Sequence, residues 1–183
     1  MNILFLVGSL RADSWTGQLT EAAASLLPAG AEATTYDGLA ELPHYDQDLD
    51  TEHPPAAVVA FRDAVRRADG LVIATPEYNG SMPGVLKNAI DWASRPRGTA
   101  ALADKPVAVI SVSPSPRGAQ WAREEAEKVL RVAGAVPLEQ SVGVPSVHAA
   151  VLAGRIADEY VERTLRDLMA TLATTASEEQ RAA

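Results

Sequence analysis

Three stretches of the chain are apolar at nearly every position: Ile3–Val7, Leu71–Ala74 and Pro106–Val112. A half-exposed strand alternates apolar and polar residues. A short run without alternation predicts a strand covered on both faces, as at the centre of a parallel sheet. Ala31–Tyr36 interleaves Glu32 and Thr34 with small residues, and Ala135–Glu139 contains Pro137, so both predict edge strands. Between these segments the spacing becomes helical. Leu19, Ala22, Ala23 and Leu26 share one face of a helix that starts near Ser14 or Thr16 and is stopped by Pro28-Ala29-Gly30. The same period runs through Val58, Phe61, Ala64, Val65 and Ala68, then through Val85, Leu86, Ala89, Ile90 and Ala93. It returns in Trp121, Ala122, Ala126, Val129, Leu130 and Ala133, with Gly134 placed to end that helix, and last in Val161, Leu165, Leu168, Met169 and Leu172. Ser177–Ala183 is expected to fray. Asp37–Pro55 has no period, and a loop of that length is expected to be functional or mobile.

Five strands alternating with five helices, without repeat or linker, predict one doubly wound α/β domain over residues 1–183. The first, third and fourth strands are the buried ones, and the second and fifth are the edges. That distribution fits the order 2-1-3-4-5, a flavodoxin-like three-layer sandwich around a five-stranded parallel sheet. Ligands of such sheets bind beyond the carboxyl ends of the strands, where the order reverses. Here that point lies between strands one and three, and the loops Gly8–Ser14 and Pro76–Ser81 form its lips. Ser113–Gly118 faces the same crevice.

Composition narrows the function classes. With 47% hydrophobic and 22% charged residues, the 183-residue chain is that of a globular protein. A net charge of −8 argues against nucleic acid or an anionic membrane as the main partner. The absence of cysteine removes disulfides, thiolate nucleophiles and cysteine-bound metal centres. The N-terminal segment, apolar for about five residues and lacking a basic flank, reads as a strand rather than a signal or membrane span, so the chain is expected to be cytoplasmic.

The loops carry the candidate chemistry. Ser9, Arg11, Ser14 and Thr16 surround a predicted helix start, where free amides, hydroxyls and a guanidinium suit a phosphate. The segment matches neither G-x-G-x-x-G nor G-x-x-x-x-G-K-[ST], so a mononucleotide phosphate is expected rather than a resident dinucleotide. Pro76 to Ser81 offers a restrained backbone, the Tyr78 ring and the Asn79 amide, the surface a planar heterocycle needs. An ordinary turn accounts for its Pro, Gly and Ser but not for Glu77-Tyr78-Asn79. Backbone amides of Ser113–Gly118 approach from the other side, limited by two prolines. Elsewhere plain readings hold. His44, His53 and His148 lack ligand spacing, and Asp46–Asp50 fails as a calcium loop because Thr51 and Ala57 stand where Gly and Glu are needed. Lys87 and Asp91 form a helix-face pair, and Trp92 and Trp121 are core or interface residues.

Gly8-Ser9-Leu10-Arg11-x-x-Ser14, followed by Pro76-Glu77-Tyr78-Asn79-Gly80-Ser81 and Pro83-Gly84-Val85-Leu86-Lys87-Asn88-Ala89-Ile90-Asp91-Trp92, resembles the NADPH-dependent FMN reductase family. The resemblance implies noncovalent FMN, with NAD(P)H as co-substrate. Ser9, Arg11, Ser14 and Thr16 would hold the phosphate, with Trp15-Thr16 standing where the family commonly has Phe-Asn. Pro76, Glu77, Tyr78, Asn79 and Gly80 would line the ring, with Ser113 opposite and Ser115 where a Gly is frequent. A homodimer or homotetramer is implied, with the flavin near the subunit boundary. So is hydride transfer from NAD(P)H through the flavin to a quinone, free flavin, azo dye, nitroaromatic or metal oxyanion. No acid–base pair is required of the protein, since the flavin does the chemistry. A non-enzymatic flavodoxin-type electron carrier fits the acidic charge equally well. A phospho-accepting receiver domain fits poorly, because Gly8-Ser9 and Thr75-Pro76 stand where acids are needed.

Overall fold

Alternate residues of the central strands point into two different cores. The computed structural model describes residues 1–152 and 155–182. It runs β1 (Asn2–Val7), α1 (Trp15–Ser25), β2 (Glu32–Tyr36), α2 (Ala56–Arg67), β3 (Gly70–Thr75), α3 (Gly84–Ala93), β4 (Pro106–Val112) and α4 (Gln120–Val132). There follow β5 (Val136–Pro137), β6 (Val142–Val144), the short α5 (Val147–Ala150), β7 (Val151–Leu152), β8 (Arg155–Ile156) and α6 (Glu159–Ala182). The main sheet is parallel in the order β2-β1-β3-β4-β5, as expected, with β6 also paired to β4. Leu4, Leu6, Leu71, Ile73, Val107 and Val109 face α2, α3 and α4. Ile3, Phe5, Val72, Ala74, Ala108 and Ile110 face α1 and α6. Three layers result, and the lack of alternation in β1, β3 and β4 has its cause: every position of β3 and β4 is buried.

Four expectations are corrected. The edge beyond β4 is made in two pieces: at β5, Val136 N and Leu138 N donate to the Lys105 and Val107 carbonyls while Pro137 presents no N–H to the open side, and Val142–Val144 pairs with β4 further along as β6. Helix α6 does not fray but continues to Ala182, with Ala176 fully buried and the Ser177 hydroxyl bonded to the Ala173 carbonyl at 3.0 Å; Ala183 lies outside the described residues. Trp121, expected on the inward stripe of α4, is half exposed instead; one position on, Ala122 takes the inward place.

The fourth correction concerns residues 37–55. This segment is pinned rather than loose, and the pins come from α2 and α3. The Pro43 carbonyl accepts from Asn88 Nδ2 at 2.9 Å and from Trp92 Nε1 at 2.8 Å, while Tyr45 N donates to Asn88 Oδ1 at 2.8 Å. Arg62, 4% exposed, pairs with Asp50 at 2.8 Å and donates from Nε to the Trp92 carbonyl at 2.9 Å. Two side chains of the long motif, Asn88 and Trp92, therefore act as anchors of this loop. Trp92 is core, as expected, and Lys87 pairs with Asp91 at 2.7 Å. Among the described residues, no helix is long and apolar enough to cross a membrane.

Candidate functional site

Strands β1, β3 and β4 end side by side, and the three loops that leave them meet in one cleft of about 280 Å³. Its lining includes Ser9, Arg11, Ser14, Trp15, Thr16, Pro76, Glu77, Tyr78 and Ser113. Nine of the eleven residues singled out from sequence are thus brought together. Asn79 and Gly80 are not among them.

The first loop can approach the third strand because residue 8 is Gly. Its N–H donates to the Ala74 carbonyl at 2.8 Å, and a Cβ there would lie 2.5 Å from Leu86 Cδ1 and 3.0 Å from Pro76 Cδ. The loop then delivers the start of α1 to the cleft. Ser14 is the N-cap, its Oγ accepting from Gly17 N at 3.0 Å. The amides of Trp15 and Thr16, one and two residues into the helix, have no backbone partner among the described residues. Arg11 is exposed, and neither its guanidinium nor the Ser9 and Thr16 hydroxyls bond to another described residue. One end of the cleft therefore holds a set of unspent donors beside a helix N-terminus, the arrangement that receives a phosphate. The remaining wall is largely apolar: Pro76, Val112, Pro114 and Val147, with the ring of Tyr78. Donors at one end and an apolar slot at the other fit a flavin mononucleotide.

The second loop is built differently from its expected role. Tyr78 N donates to Ser81 O at 3.0 Å and Ser81 N to Tyr78 O at 3.1 Å, with Asn79 at φ 55 and Gly80 at φ 75. Positive φ at both central positions makes this a tight turn of the mirror-image type, the one that selects Asn-Gly. The pair shapes the turn and stands at its tip. Glu77, which lines the cleft, also reaches α4. Its carboxylate accepts from Trp121 N at 3.0 Å and Ala122 N at 3.2 Å, capping α4 from 44 residues away.

Helix α4 answers in kind. Glu125 Oε2 accepts from Ser81 Oγ at 2.5 Å and Met82 N at 2.9 Å. These two bonds, the hydroxyl first, hold its carboxyl below the usual carboxylate range, so it is charged at neutral pH. Each carboxylate thus fastens an element of the other's neighbourhood, and the second loop is clamped to α4 at both ends. Sequence reasoning missed Glu125 altogether and gave Ser81 no such partner, because neither has a local signal.

The third loop is closed on itself. Ser113 Oγ donates to Ser115 Oγ at 3.1 Å and accepts from Ser115 N at 3.0 Å. Ser115 Oγ also accepts from Arg117 N at 3.3 Å, so the residue standing in place of Gly is turned into its own loop. Below it, Ser111 Oγ donates to Gly118 O at 2.6 Å and accepts from Arg123 at 2.9 Å, tying the loop's end to α4. All three histidines are exposed; His148 lies edge-on to Trp15 with ring centroids 5.6 Å apart. Among the described residues, no cluster of three metal-ligating side chains occurs.

The family model described as NADPH-dependent FMN reductase matches residues 1–149. The 2-hydroxy-1,4-benzoquinone reductase of a Burkholderia species is 50% identical over 113 residues, which is 62% of this chain and 61% of that protein. The match thus spans about three fifths of that relative's length. The NAD(P)H-dependent FMN reductase PA1204 of Pseudomonas aeruginosa is 35% identical over 174 residues, 94% of this chain and 93% of its own. The flavoenzyme FerB of Paracoccus denitrificans, an NAD(P)H:(acceptor) oxidoreductase, superposes with a TM-score of 0.87 at 33% identity over 97% of each chain.

Proposed function

Because this chain belongs to the NADPH-dependent FMN reductase family, we propose that it is an NAD(P)H oxidoreductase passing hydride, by way of noncovalent FMN, to a quinone-type acceptor. FMN and NAD(P)H are the cofactor and co-substrate that this membership carries. The observation supporting the reading most is the polarity of the cleft: unspent phosphate donors at the α1 end and an apolar slot between the second and third loops.

The proposed division of labour follows from what each residue has left to give. Ser9, Arg11, the Trp15 and Thr16 amides and the Thr16 hydroxyl hold the phosphate, while Ser14, whose oxygen already accepts from Gly17, sets the helix start and has only its proton to offer. Pro76, Tyr78 and Ser113 border the ring. Asn79 and Gly80 serve the ring by shaping the loop, and Glu77, which lines the cleft, fixes that loop to α4. The chemistry supplied by the flavin when bound is hydride exchange, first with the nicotinamide and then with the acceptor. The chain's own part is to anchor, orient and shield. The proposed unit is one FMN-binding domain over residues 1–183, acting in the cytoplasm as a homodimer or homotetramer, a setting that rests on the family likeness. Purified protein loaded with FMN should oxidise NADPH or NADH over many turnovers when given a quinone. FMN-loaded protein that oxidises neither nucleotide would instead be an electron carrier.

A further inference from the structure

Trp121 is 50% exposed at the first turn of α4, an unusual place to leave the largest side chain in the sequence's repertoire. Its position is fixed from three sides. Glu77 holds its amide at 3.0 Å. Its ring lies against the turn at Gly80, where a Cβ would come 3.4 Å from Cε3. The Arg117 guanidinium lies over the ring, 4.7 Å from its centroid. No carboxylate of a described residue pairs with Arg117, and its backbone is held by Ser115 Oγ at 3.3 Å. Glu124, the acid on the same turn of α4, is engaged by Gln120 at 2.7 Å. Tyr78, 52% exposed, lies three residues before Ser81 and borders the cleft itself. The result is an aromatic shelf at the start of α4, set against the tip of the second loop and carrying an oriented cation from the third, the two loops that also contribute Tyr78 and Ser113 to the cleft.

We propose that this shelf takes the adenosine 2′-phosphate end of NADPH: the exposed half of the Trp121 side chain packs against the adenine, and Arg117 pairs with the 2′-phosphate. Charge complementarity selects this occupant. NADPH is a polyanion approaching a chain of net charge −8, so its binding needs a local cation at the rim. Arg11 is committed to the FMN phosphate, and Arg117 is the guanidinium that remains on the opposite loop. Stacked on an indole, it loses little freedom on presenting its N–H fork to a phosphate. The inference rests on the oxidoreductase reading and answers the question that reading leaves open, namely which nucleotide is preferred.

Two measurements test it. In steady-state turnover with a single quinone, the wild type should prefer NADPH to NADH. Arg117→Ala should raise the KM for NADPH at least about tenfold, the loss of one charge-assisted phosphate contact, with the value for NADH moving less than about twofold. In a titration needing neither FMN nor turnover, adenosine 2′,5′-bisphosphate should quench tryptophan emission of the wild type, AMP should do so more weakly, and Arg117→Ala should erase the difference. Equal losses with both nucleotides, no loss, or a wild type indifferent to the 2′-phosphate would overturn the proposal. A change in oligomeric mass on Trp121→Ala would also overturn it, by assigning the ring to a subunit contact. If the wild type oxidises no nicotinamide yet binds the bisphosphate through Arg117, the shelf stands and the oxidoreductase reading falls.

Discussion

Arg11→Ala is expected to weaken FMN binding about 10- to 150-fold, the range corresponding to loss of a charged hydrogen bond worth roughly 1.5–3 kcal/mol. The same change should leave thermal stability within about 0.5 kcal/mol of wild type, as for a surface side chain without special contacts. The two expectations come from one fact: Arg11 is exposed and bonds to no other described residue. A residue without work in the folded chain can be removed at little cost to the fold, so a large effect on the cofactor isolates its role there. Arg11→Lys should fall between, keeping the charge but losing the planar fork. Fluorescence titration with FMN, beside a melting curve for each variant, reads both quantities. FMN affinity unchanged in Arg11→Ala would remove Arg11 from the phosphate site.

Arg62→Ala is expected to have the opposite profile, lowering stability by about 3 kcal/mol with the cleft's donors left in place. Arg62 is almost wholly buried, and its removal strands Asp50, whose side chain is 11% exposed. It also frees the Trp92 carbonyl and loosens the hold on residues 37–55. For a chain of this size the loss corresponds to a fall in Tm of roughly 6–12 °C. Replacing both partners, Arg62→Met with Asp50→Asn, should recover much of it, because no uncompensated buried charge remains. A melting temperature within about 2 °C of wild type in Arg62→Ala would mean that the pair does not secure the loop.

The parts of this molecule legible in its sequence are those governed by local pattern. Continuous apolar runs name the central strands, because burial on two faces leaves no polar position to interrupt them. Ser14 reads as a helix start because its cap lies three residues away, at Gly17. What escapes is either long-range or adjacent. Glu77 and Glu125 reach partners 44 residues distant, and nothing near either residue announces the bond. Trp121 and Ala122 are neighbours on the edge of an apolar stripe, and periodicity alone does not decide which turns inward. Val142–Val144 is too short to stand out as a strand and is held by its register with β4. Asn79-Gly80 is the instructive case. Its chemistry suggests an amide for a ligand, whereas its backbone shows the turn that Asn-Gly is suited to make.

The central claim is that the cleft between the first and third strands holds FMN by its phosphate. The direct measurement is the visible spectrum of purified chain incubated with FMN and passed through a desalting column, taken together with the protein concentration. The structure's unspent donors at Ser9, Arg11 and the start of α1 predict a yellow protein with flavin and chain in equal amounts. Protein that leaves the column colourless would contradict the account.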